Sequence, residues 1–172
     1  GGDPFVFSRG GEEVSFLEEH GISVEIVPGI TSGIAASSYV GIPLTHRHGA
    51  SSVTFVTGHE TSEKQEKSVN WRQLALSSNS LVIYMGIRNI QYIVEELIIG
   101  GMKKSTKCAA IQEATLKNQK SIVTELSELP AVIKKYDIRP PAIVLIGRIV
   151  DFQVKNTITK LSSVNLQKIK KN

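Results

Sequence analysis

Short apolar runs of strand length alternate along this chain with segments of helical periodicity, and this alternation limits its possible folds most strongly. The runs at 81–85 and 142–146 are almost entirely apolar, which is typical of strands buried on both faces of a sheet. Predicted strands cover residues 23–27, 51–56, 81–85, 107–112, 121–124 and 142–146, and predicted helices cover residues 10–20, 31–40, 71–76, 89–99 and 128–135. Strands separated by helices predict an α/β fold.

The composition is that of a folded globular protein, because 41% of the 172 residues are hydrophobic and 21% are charged. No apolar run approaches the roughly 20 residues that span a bilayer, and no basic, apolar leader opens the chain, so we expect no membrane partner. The single cysteine, Cys108, excludes an internal disulfide and a zinc site built on cysteines, and we expect it to be inert packing in a buried strand. These features predict a cytoplasmic protein.

The net charge of +4 hints at nucleic acid, but its location argues against such a partner. Residues 152–172 contain five lysines and no acid, so removing these charges leaves residues 1–151 at about −1. No segment alternates arginines with aromatic residues. We therefore predict a basic tail at 152–172, disordered or frayed, and no nucleic-acid partner.

The chain opens with a glycine-rich turn, Gly1-Gly2-Asp3-Pro4, whose bare amides could lie against a ligand while Asp3 accepts a hydrogen bond. Arg9, in the glycine-rich segment that follows, is a cation suited to bidentate carboxylate binding. An ordinary turn and a surface arginine at a helix start are the alternatives. Such a turn usually follows a strand, and none precedes it here, so we expect that the N-terminal part of the first domain is missing.

Residues 45–48, Thr-His-Arg-His, concentrate cations in a loop after Pro43. A metal site needs further ligands, and no carboxylate or cysteine lies near in the sequence, so we predict an anion-binding loop and no metal; a solvated loop is the alternative. A domain boundary is expected where the chain leaves this loop, near residues 48–51.

Two further positions suit a ligand. Thr31 and Ser32 open a helix, where free amides can bind a ligand, although Thr31 could act only as the N-cap. Met85 ends a strand, which is where open α/β sheets bind ligands, although a core methionine is the default for such a residue.

These segments resemble the tetrapyrrole methylases, and among them the uroporphyrinogen-III C-methyltransferases. The resemblance rests on blocks in the family's order up to about residue 151: GGDPFVFSRGGEE at 1–13, VPGITS at 27–32, GIPLTHR at 41–47, FVTGH at 55–59, LVIYMG at 81–86, EAT at 113–115 with Gln119, and PAI at 141–143 with GR at 147–148. One departure is Ser8, where the family usually has glycine.

The resemblance implies a two-domain α/β enzyme, a homodimer, that holds S-adenosylmethionine (SAM) in the cleft between its domains. Residues 1–48 then form the C-terminal part of the N-terminal α/β domain, residues 49–151 the C-terminal α/β domain, and residues 152–172 the tail. Carried over by position, the residues lining the SAM site are Gly1, Gly2, Asp3, Val6, Thr31, Ser32, Met85 and Ala114. The residues that position the tetrapyrrole are Arg9, Glu12 and Arg47.

The implied reaction is SAM-dependent C-methylation of uroporphyrinogen III to precorrin-2 through precorrin-1, for sirohaem or cobalamin biosynthesis. The eight carboxylates of this substrate suit a site that gathers Arg9, His46 and Arg47. Two alternatives stay open: another precorrin methylase of the same family, and a non-catalytic fragment or binding module. A third alternative, a nucleic-acid methylase of the same fold, is supported only by the basic tail.

Overall fold

The computed structural model describes residues 2–59, 69–154 and 164–165. Its helices are α1 (Gly10–Glu19), α2 (Ser32–Tyr39), α3 (Trp71–Ser77), α4 (Ile90–Ile99) and α5 (Leu129–Lys135). Its strands are β1 (Thr54–Thr57), β2 (Ser80–Tyr84), β3 (Lys107–Gln112), β4 (Lys120–Glu125), β5 (Ala142–Gly147) and β6 (Val164–Asn165). Short 3-10 helices cover Ile87–Asn89, Leu126–Glu128 and Arg148–Phe152. None of the described helices combines the length and the apolar sequence that a bilayer crossing requires.

The strands form a mixed sheet in the order β1-β2-β5-β3-β4-β6. The pairs β1–β2 and β4–β6 are parallel, whereas the pairs β2–β5, β5–β3 and β3–β4 are antiparallel. Strands β2, β5 and β3 are almost wholly buried because helices cover both faces of the sheet, which explains why most of their residues are apolar. The predicted α/β class is confirmed.

Alternate residues of the buried strands pack into two separate cores. Leu81 and Ile83 of β2 belong to a core formed with helices α3, α4 and α5. Val82 and Tyr84 of the same strand belong to the opposite core, which α2 and the Arg148–Phe152 segment complete. Because the sheet is packed on both sides, the ends of β2 and β3 are held in fixed positions.

Helix α2 shares a core with the sheet across the predicted domain boundary near residue 48. Ala36 and Val40 of α2, and Ile42 after it, belong to the same buried cluster as Leu145 of β5. The division of the chain into 1–48, 49–151 and 152–172 stays a prediction.

One prediction of local structure is wrong, and a second is wrong for the few residues that can be checked. Residues 22–31, which include the predicted strand at 23–27, have no regular structure and are mainly exposed. No neighbouring strand in the described part of the chain offers them the hydrogen-bonding ladder that a strand requires. In the predicted tail, Phe152 ends a 3-10 helix, the backbone of Val154 donates to Gly41, and Val164–Asn165 pair with β4, so these residues are not frayed. Most of the tail lies outside the described residues.

Cys108 is fully buried on β3, as predicted, and burial raises the pKa of its thiol from 9.0 to about 12.

Because the thiolate is the reactive form, we expect a thiol reagent at about pH 8 to label Cys108 in the folded protein far more slowly than in the urea-unfolded protein. The unfolded chain also loses this proton first, so the free energy of unfolding should fall as the pH rises from about 9 to about 12. Cys108→Ala should remove this fall in the free energy of unfolding with pH. Equal labelling rates in the two states would contradict a buried thiol.

Candidate functional site

A cavity of about 610 Å³ opens at the sheet edge where β2 and β3 end and β5 begins. Met85 and Glu113, the first residues after β2 and β3, lie in its wall, and Pro141, just before β5, lies there too. Ser32 and Ala36 form the side that α2 contributes. The walls are mainly apolar with a few polar groups, and the volume is within the range of small-molecule sites.

Three residues of the cavity wall hold left-handed backbone conformations that residues with side chains rarely adopt. Phe7, Met85 and Glu113 have φ angles of 50°, 53° and 47°. Thr115, two residues beyond Glu113, has a φ of 72°. Such conformations cost energy, and they cluster at binding sites where the surrounding fold enforces them. Their grouping at one cavity makes this edge of the sheet the candidate functional site.

The Tyr84 hydroxyl joins the end of β2 to the start of α2. It lies 2.8 Å from the Thr31 hydroxyl and accepts the backbone N–H of Gly33 at 3.0 Å, and both contacts are buried. It therefore satisfies one of the free amides of the helix N-terminus, which the Thr31 side chain does not cap. Gly33 leaves no room for a side chain, because a Cβ there would overlap the hydroxyl oxygen. These contacts hold Ser32, which lies between Thr31 and Gly33, in the cavity wall.

Asp3 holds the N-terminal loop against the segment before α2. Its Oδ1 accepts the backbone N–H of Phe5 at 2.9 Å, and its Oδ2 accepts that of Gly29 at 3.1 Å. A Cβ on Gly29 would overlap the carbonyl oxygen of Gly2, so only glycine permits this approach. The first two blocks of the family resemblance are therefore in contact.

Replacing Asp3 with Ala is expected to lower the free energy of unfolding by about 1 kcal/mol, since two backbone amides lose their carboxylate acceptor at a partly exposed site. Asp3→Asn keeps one acceptor oxygen and should lose about half as much. Urea unfolding of the three proteins measures the difference. Equal stability of all three would show that these hydrogen bonds contribute nothing in solution.

Two glutamine side chains hold the walls formed by the segments after β3 and before β5. Gln119 Oε1 accepts the backbone N–H of Thr115 at 2.7 Å and so closes the turn that follows Glu113. The buried Gln112 accepts the backbone N–H of Arg139 at 2.8 Å, just before the prolines of the cavity wall. The turn after β3 and the segment before β5 are therefore each held by a side-chain hydrogen bond.

Most residues of the cavity wall were not predicted from the sequence, among them Phe7, Tyr84 and Glu113. Gln112, which lies outside the wall and supports it, was not predicted either. Tyr84 and Gln112 each end a buried strand in which the residues just before them are apolar, and a polar side chain at that position is the signal that could have identified them. Phe7 carried no such signal, because its left-handed backbone and its contact with the Tyr84 ring, at 4.6 Å between centroids, are tertiary features.

The cavity wall brings together three of the residues predicted to line the SAM site: Ser32, Met85 and Ala114. The other described members of that set lie outside the wall: Gly2, Asp3, Val6 and Thr31. Thr31 is buried against the Tyr84 hydroxyl, and Val6 packs against the core that α2 shares with the sheet. Gly1 lies outside the described residues. The assignment of these residues to SAM stays a prediction.

Arg9 and Glu12 form an ion pair at the start of α1, with Nε and Oε2 3.0 Å apart. Their side chains are 84% and 73% exposed, and neither lines the cavity. A pair this exposed contributes little to stability. The predicted contact of both residues with the tetrapyrrole stays a prediction.

Arg47 stands at the tip of a tight turn between His46 and Ala50. The backbones of His46 and Ala50 exchange hydrogen bonds in both directions, at 2.9 and 3.1 Å. The Arg47 side chain is exposed, and within the described residues it forms no ion pair. A cation on a closed turn without an internal partner is available to an external anion.

Within the described ranges, no group of three or more histidine, cysteine, aspartate or glutamate side chains is placed to hold a metal ion. At His46, Nδ1 accepts the backbone N–H of His48 at 3.2 Å, and the ring stacks on Phe152 with 3.7 Å between centroids. This histidine therefore has a structural role in the turn.

Comparisons with known proteins agree on one family. The family model for tetrapyrrole (corrin/porphyrin) methylases matches residues 1–130. The uroporphyrinogen-III C-methyltransferase of Bacillus subtilis is 47% identical over 155 residues, which are 90% of this chain and 60% of that protein. The siroheme synthase of Chromobacterium violaceum is 43% identical over 157 residues, which are 90% of this chain and 33% of that protein.

A solved structure shares the fold. The uroporphyrin-III C-methyl transferase of Thermus thermophilus, complexed with S-adenyl homocysteine, matches with a TM-score of 0.74 at 35% identity. The match covers 88% of this chain and 64% of that one. This chain therefore spans less than two thirds of the length of each of these relatives.

Proposed function

Because this chain belongs to the tetrapyrrole (corrin/porphyrin) methylase family, we propose that the full-length protein transfers methyl groups from SAM to carbon atoms of uroporphyrinogen III. The family match and the shared structure also confirm the predicted fold class. One observation carries the proposal: a chain 47% identical to a uroporphyrinogen-III C-methyltransferase has a cofactor-sized cavity, walled by strained residues, at its sheet edge.

The chemistry of the cavity wall fits SAM. Phe7 and Leu116 offer exposed apolar surface to an adenine ring, and Ser32 and Glu113 offer polar groups to hydroxyl or ammonium groups. When bound, SAM supplies an electrophilic methyl group on a positively charged sulfur. The chain then has to hold that group against an electron-rich carbon of the substrate and exclude water, and no covalent intermediate with the protein is needed.

We assign the predicted SAM-site residues in two groups. Those in the cavity wall contact SAM: Ser32, Met85 and Ala114. The others shape the site through the loops that they hold: Gly2, Asp3, Val6 and Thr31. The hydrogen bonds of Asp3 and Thr31 support this division, because both side chains are already engaged within the protein.

The carboxylates of uroporphyrinogen III would bind the cations of two loops. Arg47 has no internal partner in the described chain, and Arg9 contacts Glu12 through Nε, which leaves the outer edge of its guanidinium for a substrate carboxylate. Glu12 then holds Arg9 in place. The protein would methylate twice, giving precorrin-2 through precorrin-1, and would act as a homodimer in the cytoplasm for sirohaem or cobalamin biosynthesis.

Filling the cavity tests the SAM site. Ala114→Leu is expected to weaken SAM binding by about tenfold or more, because the larger side chain occupies the volume that the cofactor needs. The matched control is Ala131→Leu, which adds the same atoms at an exposed position of α5. Calorimetric titration of the full-length proteins with SAM measures both. Wild-type affinity in the Ala114 variant would place SAM elsewhere.

A further inference from the structure

The segment that follows β5 returns to the turn that carries Arg47. Phe152, at the end of the Arg148–Phe152 helix, stacks its ring on His46 with 3.7 Å between centroids and 17° between planes. The same ring fills the space beside Gly49, where a Cβ would overlap Phe152. Phe152 therefore contacts the turn on both sides of Arg47.

This segment is itself firmly anchored. Ile149 and Val150 are buried in the core that α2 shares with the sheet. Beyond the ring, Gln153 Nε2 donates to the carbonyl of Val40 at 2.9 Å, and the backbone N–H of Val154 donates to that of Gly41 at 2.8 Å. The segment thus spans from the start of the Gly41–Ala50 loop to its tip. We call residues 148–154 the strap.

We propose that the strap is a positioning device for carboxylate binding, in which Phe152 sets the place of Arg47 through its stack on His46. This inference rests on the proposed function. An arginine on a mobile loop must lose conformational freedom when it binds an anion, whereas a turn that is already ordered loses less. Phe152 is therefore a positioning residue, and its ring acts without touching the substrate.

The size of the expected effect follows from the stack. An aromatic pair contributes about 0.5–1.5 kcal/mol beyond burial, which corresponds to roughly two- to tenfold in a binding constant. Phe152→Leu keeps an apolar side chain but removes the ring. We therefore expect it to raise KM for uroporphyrinogen III by up to about tenfold, with kcat and the SAM dissociation constant unchanged. Phe152→Tyr keeps the ring and should restore the wild-type KM.

Phe16 on α1 provides a matched control. Its ring also packs on a histidine, His20, at 4.4 Å between centroids, and is 61% exposed, so Phe16→Leu makes the same chemical change at another phenylalanine–histidine pair. Amide hydrogen exchange adds a readout that does not depend on activity. We expect faster exchange at Gly49 and Ala50, whose amides donate to the His46 carbonyl, in Phe152→Leu and not in Phe16→Leu.

The experiment compares these variants with Arg47→Ala in the full-length protein. A raised KM in Phe152→Leu, rescue in Phe152→Tyr and faster exchange in the turn support the inference. If Arg47→Ala raises KM while Phe152→Leu does not, the strap has no positioning role and the proposed function stands. If neither raises KM although methyl transfer occurs, Arg47 does not bind substrate, and the inference is wrong with it. If no methyl transfer occurs at all, the proposed function itself has failed.

Discussion

Arg47→Ala is expected to lower kcat/KM for uroporphyrinogen III by about ten- to a hundredfold and to leave SAM affinity unchanged. Loss of one charge-assisted hydrogen-bonded pair costs roughly 1.5–3 kcal/mol, which sets this range. Arg47 is exposed on a closed turn and has no ion-pair partner among the described residues, so its removal leaves no buried charge behind. SAM carries a positive sulfonium, which an arginine would repel, so a role for Arg47 in binding the sulfonium is not expected.

Arg47→Lys tests whether the positive charge alone is sufficient to bind the substrate carboxylate, or whether the shape of the guanidinium is also needed. An ammonium keeps the positive charge but cannot form the planar, two-pronged contact of a guanidinium with a carboxylate, so it should recover only part of the loss. Steady-state kinetics with each substrate varied in turn gives both constants. Wild-type kinetics in both variants would identify Arg47 as a solvated loop residue, and a defect confined to SAM would contradict the assignment.

Tyr84→Phe is expected to lower the free energy of unfolding by about 1–3 kcal/mol, because the buried N–H of Gly33 and the buried hydroxyl of Thr31 both lose their partner. The aromatic ring stays in place, so the change isolates the hydroxyl. SAM affinity should also fall, because the hydroxyl holds the start of α2, and Ser32 in the cavity wall lies there.

Tyr39→Phe is the matched control for this change. Tyr39 ends α2, is partly buried, and its hydroxyl has no hydrogen-bond partner within the described ranges. Urea unfolding should therefore show a large difference between the two variants, although each loses one hydroxyl. Equal effects would mean that the Tyr84 contacts are no stronger than those with water.

The sequence was sufficient to predict the strands that are buried on both faces of the sheet, because their apolar runs show this burial directly. Strands β2 and β5 are buried on both faces, so nearly every position is apolar, and no partner has to be known to identify them. Residues 23–27 show the limit of this reasoning. Val24 and Ile26 alternate as in a strand, but a strand also requires a neighbour, and the sequence does not say whether one is present.

The sequence identified the segments that form the candidate site, but it did not identify the contacts between them. The blocks around Ser32, Met85 and Ala114 were identified from the resemblance, and the fold places all three at one cavity. The stack of Phe152 on His46 joins residues more than a hundred positions apart, and Phe152 lies in the predicted basic tail. Contacts of this kind depend on how the sheet orders its strands, which local periodicity does not specify.

The most direct test of the proposed function is transfer of a labelled methyl group from SAM to uroporphyrinogen III by the full-length protein. If the proposed function is correct, label appears on carbon atoms of the tetrapyrrole, Ala114→Leu strongly reduces it at limiting SAM, and Arg47→Ala reduces it at limiting uroporphyrinogen III. SAM binding without any transfer of label to uroporphyrinogen III would contradict the proposed function, and would indicate either a binding module or a methylase for a different tetrapyrrole.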